Sequence, residues 1–323
     1  MTIRWGIIGC GDIARKRVAN AIQIDERSQL LAVCRRDAAK LRQFCDDFDV
    51  PRGYASAEEL IADSQVNAVY IATPVKDHRP QTLAAAAAGK HVLCEKPMAL
   101  DVSECDAMIA ACREHDVHLG VAYYRRFYPV VRRMKELIAH GEIGEVLAVN
   151  ILCATPFAIE PNEDGYWRVL PDAGGGGALM DIGSHRINLL LDMFGPIADV
   201  KAMCGTVSVE YEAENVASVL FRFQSGPQGM LTCLFNTPHD LDEFVVTGTR
   251  GRLRSAPLNG GQLEIQTADQ HCVEQHPPHA NLHAPLIADF TAAILANHPP
   301  TVTGEEGQRA TLIMDRAYTN ARG

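Results

Sequence analysis

Residues 3–14 read Ile-Arg-Trp-Gly-Ile-Ile-Gly-Cys-Gly-Asp-Ile-Ala, and this stretch decides the fold. Ile3–Ile8 is an apolar run of strand length. It leads straight into Gly9-Cys10-Gly11-Asp12-Ile13-Ala14, a G-x-G-x-x-A turn followed by a helix-compatible segment, Asp12–Ile24. A dinucleotide pyrophosphate needs this geometry. Gly9 permits the tight turn, and Gly11 lets the backbone approach phosphate oxygens. Ala14 is small enough for the new helix to lie close on the sheet. The first N–H groups of that helix, Asp12 and Ile13 among them, then face the phosphate charge.

The rest of the chain supports a two-domain reading. At 323 residues it can fill two cores, and 47% hydrophobic with 22% charged residues is ordinary globular composition. A formal net charge of −10 argues against a nucleic-acid partner. No apolar run reaches membrane-spanning length, and the N-terminus enters the glycine turn without room for a signal peptide. A cytoplasmic protein is expected. Of the ten cysteines no pair is spaced C-x-x-C, so reduced structural thiols are expected rather than disulfides or zinc.

Up to residue 122 strands and helices alternate. Strands are expected at Ile3–Ile8, Leu30–Cys34, Ala68–Ala72, His91–Cys94 and His118–Ala122. Helices are expected at Asp12–Ile24, Asp37–Asp47, Ser56–Ala62, Lys76–Ala88 and Asp101–His115. Ser56 and Glu59 have capping-box spacing and Gly89 is placed to end its helix. Buried strands with intervening helices mean a parallel sheet covered on both faces. After Ala122 the rhythm changes. A helix over Pro129–His140, a strand over Val146–Cys153, a Pro- and Gly-rich loop and a helix over Ala178–Phe194 precede a run of strands from Ala198 to Gln266. Helices over Ala284–Ala296 and Glu305–Asn320 close the chain. The domains expected are therefore 1–122, a doubly wound dinucleotide-binding unit, and 123–323, a substrate and oligomerisation unit on an open, mostly antiparallel sheet. The last helix returns toward the first domain.

Four places could carry chemistry. Val33-Cys34-Arg35-Arg36-Asp37 ends the second strand, where an acidic residue would bond the NAD ribose and arginine would take a 2′-phosphate. Asp37 suits a helix cap, in which case Arg35 and Arg36 leave the adenosine end cationic; two solvated arginines are the alternative. NADP is favoured over NAD. Glu95-Lys96-Pro97 follows a strand directly and Thr73-Pro74 ends the preceding one, so Lys96 is expected at the carboxyl edge of the sheet. Asp181 and His185 are four apart on an expected helix, the spacing of one face, and an aspartate there can orient a histidine base. A surface i,i+4 pair is the alternative reading. Gly174-Gly175-Gly176-Gly177 just before it implies backbone pressed close to something, or a flexible loop. His271, His276, His279 and His283 fit no common ligand spacing, and no metal is expected.

Together these pieces resemble the glucose–fructose oxidoreductase, inositol dehydrogenase and rhizopine-catabolism (Gfo/Idh/MocA) family over nearly the whole chain. The likeness rests on Gly9–Ala14, Ala72-Thr73-Pro74 with His78, and Glu95-Lys96-Pro97. It continues through Arg126-Phe127-Tyr128-Pro129, Gly141-Glu142-Ile143-Gly144, the segment from Gly175 to His185, and Val302–Gly307. The resemblance implies a Rossmann domain, a second α/β domain, and a nicotinamide held in the crevice between them. It implies sugar or polyol substrates, catalytic roles for Lys96, Asp181 and His185, and a cis Lys96–Pro97 bond. Arg35-Arg36 departs from the aspartate many members carry. Thr73, Pro74, His78, Glu95 and Lys96 are expected to line the cofactor. Tyr123, Arg126, Tyr166, Trp167 and Arg168 are expected to touch substrate, or else to pack structurally. A homo-oligomer through the open sheet face is expected. A glycosidase using a retained nicotinamide and a silent sugar sensor are the alternatives.

Overall fold

The computed structural model describes residues 2–322. They form two compact units. The first comprises the chain up to Tyr124 together with Ala280–Thr311, and the second comprises Arg125–His279 with the chain from Leu312 onward.

The first unit is built on six parallel strands: β1 Ile3–Ile8, β2 Ser28–Cys34, β3 Arg52–Tyr54, β4 Ala68–Ile71, β5 His91–Cys94 and β6 Leu119–Val121. Their order across the sheet is β3-β2-β1-β4-β5-β6, the doubly wound arrangement that reverses direction at β1. Strands β1, β4 and β5 are buried on both faces, hence their continuous apolar runs. The three-residue β3, Arg-Gly-Tyr, has no apolar run and was not expected from sequence; it survives as an edge strand paired with β2. The helices follow their local signals. Ser56 Oγ accepts from Glu59 N at 3.2 Å while Glu59 reaches back to Ala55 N at 3.0 Å. Gly89, with φ +69°, ends the helix His78–Ala87.

One ladder ties the carboxyl edge of this sheet together. The residue just past each strand donates its N–H to a terminal carbonyl of the neighbouring strand. Arg35 bonds Tyr54 at 3.1 Å, Gly9 bonds Cys34 at 3.2 Å, Ala72 bonds Ile8 at 2.8 Å, Glu95 bonds Ile71 at 2.9 Å, and Ala122 bonds Cys94 at 2.8 Å. The helix Ala284–Ala296 belongs to the same unit because its Leu286, Ile287 and Phe290 are buried, with Phe290 tilted on Trp5 of β1 at 5.7 Å.

The second unit carries eight strands: β7 Val146–Thr155, β8 Ile197–Gly205, β9 Val216–Phe223, β10 Gln228–Phe235, β11 Leu241–Gly248, β12 Gly251–Ser255, β13 Gln262–Thr267 and β14 His271–Gln275. Their order is β14-β13-β12-β11-β7-β10-β9-β8, antiparallel throughout except for the parallel pair β7–β10. Alternation along β9 and β10 buries Val219, Phe221, Leu231 and Cys233 and leaves Leu220 and Met230 facing out opposite one another. All ten cysteines are free.

Under the buried face lies a charge network. Asp242 of β11 is 8% exposed and is shared by two arginines, Arg125 at 2.9 Å and Arg186. Arg125 also donates to Asn259 at 2.8 Å. Burial alone would push the Asp242 carboxyl up, but the two guanidinium groups more than offset it and hold it below the usual carboxylate range. Its stabilising effect is therefore present above the unfolded value near 3.8 and is lost as pH falls through the lower folded one. Asp242→Asn keeps the shape and strands both cations, so a loss of about 3–5 kcal/mol is expected in urea unfolding at pH 7, narrowing in acid. A loss under about 1 kcal/mol would show that the network is no stronger than a surface pair.

Candidate functional site

Each unit carries its own group of candidate side chains. In the first unit the glycine turn has the form a phosphate needs. Gly9 has φ +95°, and a Cβ there would lie 2.7 Å from the Ala72 carbonyl oxygen, so only glycine lets β1 and β4 end side by side. At Gly11 the opposite holds: among the described residues, nothing apart from its own local backbone lies within 4 Å of where a Cβ would stand. That open place, in front of N–H groups with no intrahelical acceptor, fits a dinucleotide pyrophosphate. After an α-helical start at Asp12 and Ile13 the chain passes through a π segment, Ala14–Val18, into the α-helix Ala19–Ile24. Single π turns inside helices concentrate at functional sites. Asp12 is exposed and pairs with Lys16 at 3.0 Å, Ile13 is half-buried, and Ala14 is fully buried against the sheet.

Arg35 lies against this turn, its guanidinium donating to the Cys10 carbonyl oxygen. Arg36 beside it is exposed. Asp37 caps the helix Ala38–Phe48, accepting from Ala39 N at 2.9 Å and Lys40 N at 3.0 Å. The Lys40 N–H in particular holds its carboxyl below the ordinary value. The carboxylate nearest the end of β2 is thus committed to backbone.

The Lys96–Pro97 bond is cis. His78 laces this turn to the neighbouring loop: buried, it sets Nδ1 3.1 Å from Pro97 O and Nε2 2.9 Å from Thr73 O. Burial pushes the His78 pKa down. Thr73 donates to Gln81 at 2.7 Å. Glu95 is buried, accepting from Tyr70 Oη at 2.6 Å and from Lys96 N at 3.1 Å. Its carboxyl is pushed up by burial but pulled further down by His283, Lys96 and Tyr70, so it is a carboxylate. Lys96 itself is half-buried, and Tyr123 is buried.

In the second unit Asp181 stands in a π segment, Leu179–Gly183, and His185 in the α-helix Ser184–Phe194 that continues it. The pair therefore spans a junction between two helical windings rather than one regular α-helical face, as the plain spacing suggested. The Asp181 carboxylate faces Arg168 Nε at 3.7 Å, and Arg168 in turn lies over the Trp167 ring at 4.9 Å. His185 is 5% exposed. Arg126 is buried, donating to Asn188 at 2.9 Å and pairing with Asp192 at 3.4 Å, contacts that hold the same helix.

The tetraglycine is pressed against the protein itself. A Cβ on Gly177 would collide with the Glu214 backbone carbonyl, and one on Gly176 with the Tyr318 hydroxyl. Buried Glu214 accepts from Gly177 N, Leu179 N and Tyr318 Oη, each at 2.9 Å. Burial pushes its carboxyl above the ordinary value, and these donors offset only part of that. Glu214 was invisible beforehand because it sits in Glu210-Tyr-Glu-Ala-Glu214, which reads as a solvated acidic loop. The histidine run also disperses. His271 pairs with Glu264 and His276 with Glu274 in the second unit, whereas His283 is buried in the first. Among the described residues no group of three potential ligands is arranged to hold a metal.

Comparison with known proteins agrees with these two units. Residues 3–123 match the model of the oxidoreductase family with an NAD-binding Rossmann fold, and residues 131–254 match that of the GFO/IDH/MocA C-terminal domain. The chain is 32% identical over 312 residues to the 1,5-anhydro-D-fructose reductase of Ensifer adhaerens, covering 94% of this chain and 92% of the relative. It is 33% identical over 258 residues to the mouse (Mus musculus) trans-1,2-dihydrobenzene-1,2-diol dehydrogenase, covering 78% and 74%. Its structure superposes on the aldose-aldose oxidoreductase of Caulobacter crescentus, crystallised with glycerol, with a TM-score of 0.91 at 27% identity, covering 100% and 98%. The chain belongs to the Gfo/Idh/MocA family of oxidoreductases, with an N-terminal NAD-binding Rossmann fold.

Proposed function

We propose that the protein is an NADP-preferring dehydrogenase or reductase acting on a secondary alcohol of a sugar, polyol or related cyclic substrate. The observation that carries this reading is the carboxyl edge of the first sheet. There the glycine turn, Arg35, Thr73 and the Glu95–Lys96–Pro97 turn are tied into one ladder. A bound nicotinamide would supply or accept the hydride. The chain's own residues handle the proton and the oxygen. The Lys96 ammonium stabilises negative charge developing on the substrate oxygen, and His185 takes the proton, or returns it in the reducing direction. Asp181, 3.7 Å from Arg168 Nε, bonds a substrate hydroxyl or orients His185. Tyr123, Arg126, Trp167 and Arg168 are assigned to substrate contacts. Arg35 and Arg36 take the 2′-phosphate, a role supported by the commitment of Asp37 to its cap. The free cysteines support a cytoplasmic enzyme. A spectrophotometric screen of NADP and NAD against sugars and polyols tests the reading. A tightly retained cofactor with no turnover of added NADP would favour a glycosidase instead.

Lys96→Met is expected to keep cofactor affinity and to lower kcat about 100- to 1000-fold, the scale of one positioned electrostatic group. His185→Ala should remove the neutral limb of the pH–rate profile. Near-normal rates together with an unchanged profile would take both residues out of the mechanism.

Cofactor choice can be read from kcat/KM ratios. A charge-assisted contact is worth about 1.5–3 kcal/mol, so Arg35→Ala or Arg36→Ala should weaken NADP about ten- to hundredfold and leave NAD nearly unchanged. Arg35→Asp should invert the preference. A wild type that already prefers NAD, or ratios that move in no variant, would sink the assignment.

The outward face of the second sheet carries Met203, 79% exposed, with Leu220 and Met230, and we assign it to a homo-oligomer interface. Light scattering should report a multiple of the 35.2 kDa chain, and Leu220→Glu with Met230→Glu should dissociate it. A monomeric wild type would refute this.

A further inference from the structure

His283 is a buried histidine to which the proposed function gives no role. It is fully buried, just before the helix Ala284–Ala296. Its backbone N–H is held by Asn281 Oδ1 at 2.9 Å, and the amide of that same Asn281 donates to Arg17 O at 2.8 Å. Its ring packs on Tyr124 at 4.5 Å, and the Arg17 guanidinium covers the other partner of that stack at 5.2 Å. Nε2 points at Glu95 Oε1 from 3.6 Å, beyond hydrogen-bond length, and neither ring nitrogen has a hydrogen-bond partner. A buried, unsatisfied imidazole is expensive, and an apolar ring stacked on Tyr124 would serve the fold better.

What it faces explains why it is there. Glu95 accepts from Tyr70 with Oε1 and from the Lys96 amide with Oε2, and Oε1, the oxygen nearest His283, has the capacity for a second donor. The groups around the imidazole are Glu95, Tyr124, Arg17 and Lys96, with Tyr70 beyond the carboxylate. Burial pushes the imidazole below its ordinary value, against the pull of Glu95, so the ring is neutral near pH 7 and carries a single N–H. In the tautomer protonated on Nε2, a displacement of well under 1 Å brings that N–H within hydrogen-bond distance of the carboxylate, the tightening that catalytic contacts undergo on ligand binding.

We propose that His283 is a positioning residue of the active site: acting through Glu95, it fixes the Glu95–Lys96–Pro97 turn and with it the place of the Lys96 ammonium. The proposal rests on the reading of Lys96 given above. The neutral ring adds a third donor to a buried carboxylate without adding a charge that would repel Lys96.

The test compares His283→Phe, which keeps the stack on Tyr124 and removes the N–H, with His283→Gln, which returns an amide N–H near the place of Nε2. Both are made in the full chain and with Glu95→Gln. Two quantities are read: kcat with cofactor KM, and the rate of Lys96 acetylation by acetic anhydride relative to exposed Lys201, followed by peptide mass spectrometry. His283→Phe is expected to lower kcat about tenfold at near-constant cofactor KM and to change relative Lys96 labelling about threefold or more. His283→Gln should recover most of both, and Glu95→Gln should add little to His283→Phe. Equal behaviour of the Phe and Gln variants, whether unimpaired or equally impaired, would overturn the proposal, as would fully additive losses. A wild type without turnover on any alcohol would refute the enzymatic reading, while the labelling ratios would still decide the role of His283.

Discussion

The close approach of Gly9 to the Ala72 carbonyl is the constraint on which the first unit depends. Strands β1 and β4 can end at the same level only if the first residue past β1 has no side chain. Once they do, the N–H of Gly9 reaches Cys34, that of Ala72 reaches Ile8 and that of Glu95 reaches Ile71. A ladder of this kind sets four loops at one height. The open turn at Gly11, the guanidinium of Arg35, the Thr73 loop and the Lys96 turn are consequences of it rather than separate inventions. His78 stands between two of those loops with its ring nitrogens at the Pro97 and Thr73 carbonyls, its single N–H donating to one of them, so Lys96 projects from a framework of backbone hydrogen bonds.

The second unit solves a different problem by the same means, close backbone approach enforced by glycine. There the body that must approach is a carboxylate. Glu214 sits at the start of a helical segment whose N–H groups point at it, and a negative charge at that end is favoured by the helix dipole. Gly176 and Gly177 give it and Tyr318 the room. The π segment that follows shifts the winding just where Asp181 stands, and Ser184 resumes the α-helix before His185. Arg126, Asn188 and Asp192 then hold that helix from the side.

Much of this was legible in the sequence because it is local. The turn Gly9–Ala14, the Ser56–Glu59 cap, the stop at Gly89 and the alternation along the second sheet each depend on residues within a few positions of one another. The parts that were not legible depend on long-range partners. β3 is an edge strand only because Ala32–Cys34 pairs with it. β14 reads as a histidine-rich loop until β13 is beside it. Glu214 meets the tetraglycine across 37 residues, and Glu95 meets His283 across 188, separations at which no spacing rule operates. A π turn also leaves no mark in an apolar pattern one or two turns long, so Asp181 and His185 were readable as a pair but not as a junction.

Three buried carboxylates show how the chemistry was divided. Asp242 is met by two full positive charges and is held low, which suits a network whose task is to hold structure. Glu214 is met only by N–H and O–H dipoles and is pushed up, which is enough for a helix start, where the donors are fixed by the backbone. Glu95 lies between these cases. An arginine in place of His283 would satisfy it more strongly, but would set a second cation beside Lys96 and take up the carboxylate's charge that steadies the ammonium. A neutral imidazole 3.6 Å from Glu95 sets no second full cation beside Lys96. On this reasoning a buried histidine, costly to the fold by itself, suits that place better than a residue that would stabilise the carboxylate more.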